Sequence, residues 1–210
     1  MSSLGSIAPV ILAAGDSSRM GYPKALLPME SDCFLTWILK AAQNAGLGRP
    51  TVVLGKTAED ILPQVREWKI DILINREPEK GQLSSLQIAL ASMPAETVAA
   101  MIWPVDQPLV PVNLIDNLAR KFLDSSALIA YPVYGERRGH PAIIHRNLFG
   151  EFMEAPLEEG PKQIILRHQA DTATLPTDEP GTVYDFDTPS DYEAAFGKKL
   201  DTAISRKLES

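Results

Sequence analysis

The sequence has little cysteine, no excess of positive charge and no long hydrophobic run. Its single cysteine, Cys33, excludes an internal disulfide and has no neighbouring histidine or second cysteine that would indicate a catalytic thiol. The 20 lysines and arginines are outnumbered by 27 aspartates and glutamates, so the positive surface that nucleic-acid binding requires is missing. The longest early apolar run, Ile7–Ala14, is too short for a membrane span and follows no basic signal-peptide segment. We therefore expect a cytoplasmic protein with neither nucleic acid nor a membrane as partner.

The 210 residues are enough for one domain with a substantial core. We expect residues 1–197 to form this domain. Residues 198–210 mix Lys, Asp and Ser with few apolar residues and are expected to form a loose C-terminal tail. The three tryptophans, Trp37, Trp68 and Trp103, are scattered rather than spaced as a stacking platform, which favours a packing role.

Short β-rich runs alternate along the chain with segments of helical periodicity. The runs are Ile7–Leu12, Thr51–Leu54, Ile70–Ile74, Val98–Trp103 and Ala127–Tyr131. Apolar residues recur at helical spacing in Phe34–Ala45, and similar patterns predict helices near 58–67, 83–92 and 112–123. This alternation predicts an α/β fold with a doubly wound, mostly parallel sheet. Tyr131–Tyr134 and Pro141–His145 flank a Gly-Glu-Arg-Arg-Gly turn, which predicts a small β-hairpin excursion.

The most informative segment is the loop that follows the first strand, Leu12-Ala-Ala-Gly-Asp-Ser-Ser-Arg-Met-Gly-Tyr-Pro-Lys-Ala-Leu-Leu-Pro. Open α/β sheets bind ligands at the carboxyl ends of their strands, so this loop is in the right place for a binding site. Gly15 and Gly21 allow the backbone to turn and approach a ligand closely, and Ser17 and Ser18 add donors suited to phosphate oxygens.

Two cations, Arg19 and Lys24, lie in the same loop of a chain whose net charge is −7. Positive charge placed against the overall sign indicates an anionic ligand. Neither standard nucleotide loop is present, because the loop has neither the Gly-Lys-Ser/Thr of the Walker pattern nor a G-x-G-x-x-G run. A P-loop NTPase and a Rossmann dehydrogenase are therefore disfavoured.

The loop resembles the signature L-A-A-G-x-S-x-R-M-G-x-x-K-x-L-L-P of the MobA-like NTP transferases, and in particular their molybdenum cofactor cytidylyltransferase branch. The resemblance extends to about residue 196 through four further motifs, Gly81–Leu86, Val105–Leu109, Arg138–Ala142 and Asp185–Tyr192. It implies a Rossmann-like nucleotidyltransferase fold. It also implies Mg²⁺-dependent transfer of a nucleotidyl group from a nucleoside triphosphate to a phosphorylated small molecule, with release of pyrophosphate.

The resemblance further implies which substrates take part. Ala14 stands where the guanylyl-transferring branch has glycine, which implies CTP as the donor and GTP as the second choice. The implied acceptor is of the molybdopterin class, and a molybdoenzyme is the protein partner that such a product suggests. Gly160-Pro-Lys-Gln replaces the Gly-Ala-Arg that the family usually carries, and this departure bears on the acceptor rather than on the chemistry.

Two aspartates are candidate metal ligands. Asp106 ends the apolar run Ala99–Val105, and a carboxylate at that end of a strand faces the crevice where phosphates would lie. The alternative is a turn or helix cap before Pro108. Asp187 is implied by the resemblance as the second ligand of Mg²⁺. Capping accounts for Thr188 and the acid at N3 of the following helix but leaves Asp187 unexplained. Asp185 is interpreted either as a structural carboxylate or as one that supports the metal ligands without binding the metal itself.

The resemblance also implies a role for each remaining site residue. Arg19, Lys24 and Asp106 would be catalytic, with Arg19 on the β- and γ-phosphates and Lys24 near the α-phosphate. The implied nucleotide-binding residues are Leu12, Ala13, Ala14, Gly15, Ser17, Ser18, Arg19, Gly21, Lys24, Gly81, Ser84 and Ser85. For Ser84 and Ser85, helix capping is the alternative to nucleotide binding.

Gly139 and His140 are implied as contacts of the acceptor, although a basic turn with a histidine is otherwise typical of a solvated loop. His145 and His168 lack metal-ligand spacing and are interpreted as structural. Two other functions stay open. One is transfer from GTP or another triphosphate to a sugar or polyol phosphate, and the other is a nucleotide-binding protein without turnover.

Overall fold

A computed structural model describes residues 3–200, so residues 201–210 of the predicted tail lie outside it. The strands are β1 (Ile7–Ala13), β2 (Pro28–Met29), β3 (Asp32–Cys33), β4 (Thr51–Leu54), β5 (Asp71–Ile74), β6 (Ala99–Pro104), β7 (Ile129–Tyr134), β8 (Arg137–Arg138), β9 (Ala142–His145) and β10 (Thr172–Thr177). The helices are α1 (Phe34–Asn44), α2 (Ala58–Val65), α3 (Gln82–Ala91), α4 (Val112–Leu123), α5 (Phe149–Glu154), α6 (Gly160–Arg167) and α7 (Pro189–Phe196).

One eight-stranded sheet organises the chain. Its strand order is β10-β7-β9-β6-β1-β4-β5, with β8 paired to β7 outside this order. β1 pairs in parallel with both β4 and β6, and β5 and β10 are parallel to their neighbours β4 and β7. β9 is antiparallel to β6 and β7. The predicted mostly parallel α/β sheet is therefore confirmed.

Helices cover both faces of the sheet, as a doubly wound fold requires. All seven residues of β1 are buried, which is typical of a parallel strand with helices on both sides. Ile7 and Ile11 pack in the core with α1, α2 and α4, whereas Val10 and Leu12 pack with α3, α5 and α6. The alternation of side chains along β1 thus supplies both halves of the core.

Several predicted elements agree closely with the structure, and others differ from it. The bounds of β4 and α4 are those predicted, and the excursion is the hairpin β7–β8. The segment predicted as its other arm forms β9, which is antiparallel to β7 as predicted and, in addition, pairs with β6 in the main sheet. The pattern near Gly135 reveals a turn, but the partner of a strand depends on contacts far away in the sequence. Strand β10 and helices α5 and α6 were not predicted, because their sequences are short or only partly apolar.

The tryptophans have the predicted packing role. Trp103 is fully buried in β6, and its indole N–H donates to the carbonyl of Gln107 over 2.9 Å. Trp37 and Trp68 are partly buried against the same core. Among the helices of residues 3–200, none has the length and apolarity needed to cross a membrane.

The order of the strands creates a crevice at the carboxyl end of β1. From β1 the chain proceeds to β4 and β5 on one side, and then crosses to β6 on the other side. Ligands of open α/β sheets bind at such a reversal, where loops leave neighbouring strands in opposite directions. The loop after β1 and the residues after β6 meet at this point.

Candidate active site

The loop after β1 is held in a defined shape by its own polar groups. Ser17 adopts a left-handed backbone conformation with φ of 53°, and its carbonyl accepts hydrogen bonds from the amides of Met20 and Gly21. Its hydroxyl accepts from the Lys24 amide over 3.2 Å. A left-handed conformation is strained for a residue with a side chain, and such strain is concentrated at ligand sites. Met20 is buried and anchors the loop to the core.

Lys24 lies between the two predicted metal ligands. Its ammonium donates to Asp106 Oδ2 over 2.9 Å and to Asp187 Oδ1 over 2.7 Å. Both carboxylates therefore face a single cation, the ammonium of Lys24. The structure therefore brings together three predicted site residues that are separated by 82 and 163 positions in the sequence.

The charges of this cluster stabilise one another. Burial alone would lower the pKa of Lys24, but Asp106 and Asp187 outweigh it, and the pKa is raised above its ordinary value. The hydrogen bond from Lys24 lowers the pKa of Asp187 against the raising effect of burial. Arg19 Nη2 adds a second cation 3.0 Å from Asp187 Oδ1. The lysine is thus charged and Asp187 ionised at neutral pH.

Asp187 is placed by the start of α7. The Asp191 carboxylate accepts from the amides of Asp187 and Thr188 over 3.0 and 2.7 Å, and Asp191 N donates back to the Thr188 hydroxyl. This is the predicted capping box, and it leaves the side chain of Asp187 free to face Lys24. On the other side, the Phe186 amide donates to the Asp106 carbonyl over 3.0 Å, which ties the segment to the end of β6.

The donors in this cluster fit a hard cation that is completed by a ligand. Two carboxylates face one point, and within residues 3–200 no group of three or more His, Cys, Asp or Glu side chains is placed to hold a metal. Mg²⁺ is characteristically held by one or two carboxylates, with phosphates and water supplying the other oxygens. The ammonium of Lys24 already marks this point as one where positive charge is stabilised.

A cavity of about 320 Å³ opens beside the cluster. Most of the predicted nucleotide-binding residues line it, together with both aspartates. They are Leu12, Ala13, Ala14, Gly15, Ser17, Ser18, Arg19, Lys24, Gly81, Ser85, Asp106 and Asp187. Of the predicted set, Gly21 and Ser84 are outside this lining. Gly21 instead forms the turn of the loop, with φ of 68°.

Ser84 and Ser85 differ in their surroundings although they are adjacent in α3. The hydroxyl of Ser84 donates to the Gly81 carbonyl over 2.8 Å, whereas the N-cap residue of α3 is Gly81 and no side-chain hydrogen bond caps the helix, so the alternative prediction of capping by these serines is wrong. The buried amide of Asn75 donates to both serine hydroxyls, each over 2.9 Å. Only Ser85 also lines the cavity, so Asn75 acts as a support beneath that wall.

Gly139 and His140 lie outside the cavity lining, on the neighbouring hairpin. A Cβ at Gly139 would approach the Thr182 carbonyl oxygen to 2.7 Å, so this glycine permits close packing of the two segments. The His140 amide donates to the same oxygen over 2.8 Å. Burial lowers the pKa of the His140 ring against the charges of Asp185 and Asp106. The ring is therefore neutral at pH 7, near the acidic side of the cluster.

This lowered pKa predicts a pH-dependent contribution of His140 to stability. Below the ordinary pKa of 6.5, the unfolded chain binds a proton on His140 that the folded chain does not bind, so unfolding becomes more favourable as the pH falls. We expect the free energy of unfolding to decrease less between pH 7.5 and 5.5 in His140→Gln than in the wild type. Urea denaturation at both pH values measures the difference, and equal decreases in the two proteins would contradict the assignment.

Other lining residues were not predicted from the sequence. Asp16, Thr57 and Gln82 line the cavity, and they follow β1, β4 and β5. Gly55, just after β4, packs so closely on the loop that a Cβ there would be 2.2 Å from the Ala14 carbonyl oxygen. The signal that could have found these residues is their position after parallel strands, since the carboxyl ends of those strands meet at one edge.

Comparison with known proteins places this geometry in a family. The model of the MobA-like NTP transferase domain matches residues 9–172. The chain is 24% identical over 193 residues to the molybdenum cofactor cytidylyltransferase of Escherichia coli K12, covering 91% of this chain and 96% of that protein. It is 26% identical over 193 residues to a protein of Mycobacterium marinum named as a probable molybdenum cofactor guanylyltransferase, covering 90% and 92%.

Solved structures give the same result for the fold. The crystal structure of Rv0371c from Mycobacterium tuberculosis H37Rv superposes with a TM-score of 0.80 and 26% identity, covering 91% of this chain and 98% of that chain. A structure of the same protein in complex with manganese has a TM-score of 0.77 and 24% identity, with the same coverage.

Proposed function

This chain belongs to the MobA-like NTP transferase family, and we propose that it transfers CMP from CTP to a phosphorylated acceptor of the molybdopterin class. The chain is a nucleotidyltransferase related to the molybdenum cofactor cytidylyl- and guanylyltransferases. The choice of CTP is supported by Ala14 in the first loop and by the similarity to the cytidylyltransferase of Escherichia coli. The choice of a molybdopterin-class acceptor is supported by the similarity to the cytidylyltransferase of Escherichia coli and to the probable guanylyltransferase of Mycobacterium marinum.

In the proposed reaction, an oxygen of the acceptor phosphate attacks the α-phosphorus of CTP. A new phosphorus–oxygen bond forms as the bond between the α-phosphorus and the bridging oxygen breaks, and pyrophosphate leaves with that oxygen. The acceptor phosphate is already anionic, so the protein needs to supply neither a nucleophile nor a general base. Catalysis of this kind depends on positioning and on neutralising charge at phosphoryl oxygens.

Each part of the cluster has a role in this reaction. The amides of the loop after β1 and the Arg19 guanidinium would hold the β- and γ-phosphates. Lys24 would move from its contacts with Asp106 and Asp187 to stabilise charge that develops near the α-phosphate. His140 would contact the acceptor from the side of the hairpin. The product would be a cytidine diphosphate derivative of the acceptor.

A divalent cation completes the proposed site. Asp106 and Asp187 would hold Mg²⁺, and the bound ion would supply positive charge to the phosphoryl oxygens. The arrangement of these two carboxylates around one ammonium is the observation that carries the proposal. An ammonium held in this way keeps the two acidic groups together at the wall of the cavity.

A pyrophosphate-release assay tests this function. The purified protein is incubated with Mg²⁺ and one of CTP, GTP, ATP or UTP, together with reduced molybdopterin, molybdenum cofactor or a panel of sugar and polyol phosphates. We expect release only when CTP and a molybdopterin-class acceptor are both present, with little release from the other triphosphates. Omission of the divalent cation is expected to abolish it.

The other outcomes identify the alternatives. A clear preference for GTP or ATP would contradict the choice of donor. Release with a sugar phosphate and none with molybdopterin species would contradict the choice of acceptor. Binding of CTP with Mg²⁺ but no pyrophosphate from any acceptor would contradict catalysis and leave a nucleotide-binding protein.

A further inference from the structure

We propose that Gln107 is a positioning residue that fixes the segment bearing Asp187 to the end of β6, so that Asp106 and Asp187 face one cation. This inference rests on the proposed function, because it concerns the same pair of carboxylates. It assigns a role to a side chain that neither lines the cavity nor contacts the pair directly. Its basis is a set of contacts between residues 106–107 and 185–186.

Two hydrogen bonds join these segments side by side. The Gln107 Nε2 group donates to Asp185 Oδ1, and the Phe186 amide donates to the Asp106 carbonyl over 3.0 Å. The first bond connects the residue after Asp106 with Asp185, and the second connects Asp106 itself with the residue before Asp187. The backbone bond and the buried ring of Phe186, which packs against Phe34, hold the segment at residue 186, and the bond from Gln107 adds a second attachment at residue 185.

Gln107 is itself held firmly. Only 5% of the residue is exposed, and its backbone carbonyl accepts a hydrogen bond from the indole N–H of Trp103, which is fully buried. The backbone amide of Gln107 donates to the Pro104 carbonyl over 3.2 Å. The side chain therefore extends from a rigid turn at the end of β6, and its Nε2 group is a fixed point for Asp185.

The side-chain oxygen of Gln107 indicates that packing alone does not explain why a glutamine is found at this position. Gln107 Oε1 is buried and finds no hydrogen-bond partner among residues 3–200. A buried oxygen without a partner is unfavourable, and an apolar side chain of similar size would avoid this cost. What the glutamine provides in return is the bond from Nε2 to Asp185.

The bond is also unnecessary for solvating Asp185. This residue is exposed, so water can satisfy its carboxylate when Gln107 is absent. The effect of the bond from Gln107 is therefore to fix the position of the segment that contains Asp185. Asp187 is two residues further along, and on its other side the Thr188–Asp191 capping box fixes it to α7. Gln107 and the capping box thus hold Asp187 from both directions.

Three variants separate the hydrogen bond from the charge of Asp185. Gln107→Leu removes the bond and keeps the charge, Asp185→Asn removes the charge and keeps an acceptor oxygen, and Asp185→Ala removes both. The measurement is the binding of Mn²⁺ to each protein without nucleotide, followed by the loss of the free-ion electron paramagnetic resonance signal. Partners that orient metal ligands typically contribute about 10- to 100-fold in affinity.

We expect Mn²⁺ to bind at least about 10-fold more weakly to Gln107→Leu and Asp185→Ala than to the wild type. Asp185→Asn is expected to stay close to the wild type, as the conservative variant that retains the bond. The thermal midpoint of Gln107→Leu should not fall, because the substitution removes the unpartnered oxygen from the interior. In the pyrophosphate assay, Gln107→Leu should require more Mg²⁺ for half-maximal rate while its KM for CTP changes little.

Wild-type Mn²⁺ affinity in Gln107→Leu would overturn the inference, and so would equal weakening in both Asp185 variants, which would indicate charge rather than position. Asp185→Ala keeps the test valid if Gln107→Leu fails to fold, because the side chain it removes is exposed. Failure of the wild type to bind Mn²⁺ would overturn the proposed metal site together with this inference. Pyrophosphate release by the wild type decides the proposed function separately.

Discussion

Replacement of Lys24 by methionine is expected to lower turnover by about 10²- to 10³-fold, the loss typical when one preorganised positive group is removed from a developing charge. Methionine preserves most of the length of the side chain and removes only the ammonium. In the structure this ammonium contacts both Asp106 and Asp187, and in the proposed reaction it stabilises the charge that develops near the α-phosphate. Turnover is measured as pyrophosphate release at saturating CTP and acceptor.

The same variant should bind a divalent cation no more weakly than the wild type. Lys24 occupies the point between the two carboxylates, so its removal frees their oxygens for the ion. Loss of turnover together with unchanged or tighter Mn²⁺ binding would therefore separate the role of the lysine from that of the metal ligands. Near-normal turnover in Lys24→Met would contradict the role assigned to it.

Lys40→Met is the matched control for this prediction. Lys40 also forms an ion pair with a carboxylate, at 2.7 Å from Asp32, but it lies on the outer side of α1 away from the cavity. Surface ion pairs of this kind contribute little to stability. We expect wild-type turnover and Mn²⁺ binding in this variant, so that a loss confined to Lys24→Met reflects position rather than the removal of a lysine.

The parts of the fold that were predictable are those in which burial determines the local pattern. β1 and β6 are covered on both faces, so their sequences are continuous apolar runs that stand out without any knowledge of their partners. α4 has one apolar face, and it lies in the range near 112–123 where a helix was predicted. Strand β10 is an edge strand with partly exposed residues and a proline, and this pattern gives little signal.

Strand pairing was less accessible than strand location. The turn at Gly135 correctly predicted antiparallel pairing with β7, but it did not indicate that β9 also pairs with Ala99–Ile102 of β6, more than forty residues earlier in the chain. No local pattern specifies such a partner, because the pairing is chosen by the packing of the whole sheet. The excursion predicted for this region is consequently limited to β8.

The residues of the candidate site also differ in whether a local sequence pattern could predict them. Asp106 could be predicted physically, because it ends an apolar strand and the ends of parallel strands face the crevice. Asp187 is 163 positions from Lys24, and only the resemblance to a family connected the two. Gln107 and Asn75 act through other side chains, so their roles depend on distances that a sequence does not contain.

Replacement of Asp106 by asparagine is the second change with a large expected effect. It preserves the size of the side chain and one oxygen but removes the negative charge that a cation requires. We expect turnover to fall by about 10²- to 10³-fold at the Mg²⁺ concentration that saturates the wild type. Unlike Lys24→Met, this variant should also bind Mn²⁺ more weakly, because it removes a ligand rather than a competing ammonium.

Asp116→Asn is the matched control, since Asp116 pairs with Arg120 on the surface of α4 and lies outside the cavity lining. The fold of Asp106→Asn should persist, because 24% of the Asp106 side chain is exposed and the backbone carbonyl that accepts from Phe186 is unchanged. Circular dichroism and the thermal midpoint check this. Wild-type turnover in Asp106→Asn, or equal losses in both variants, would contradict the assignment. Lys24→Met and Asp106→Asn should have opposite effects on Mn²⁺ binding, and both effects follow from the same contact. In the structure the Lys24 ammonium lies between the two carboxylates, at the position where they would bind the ion.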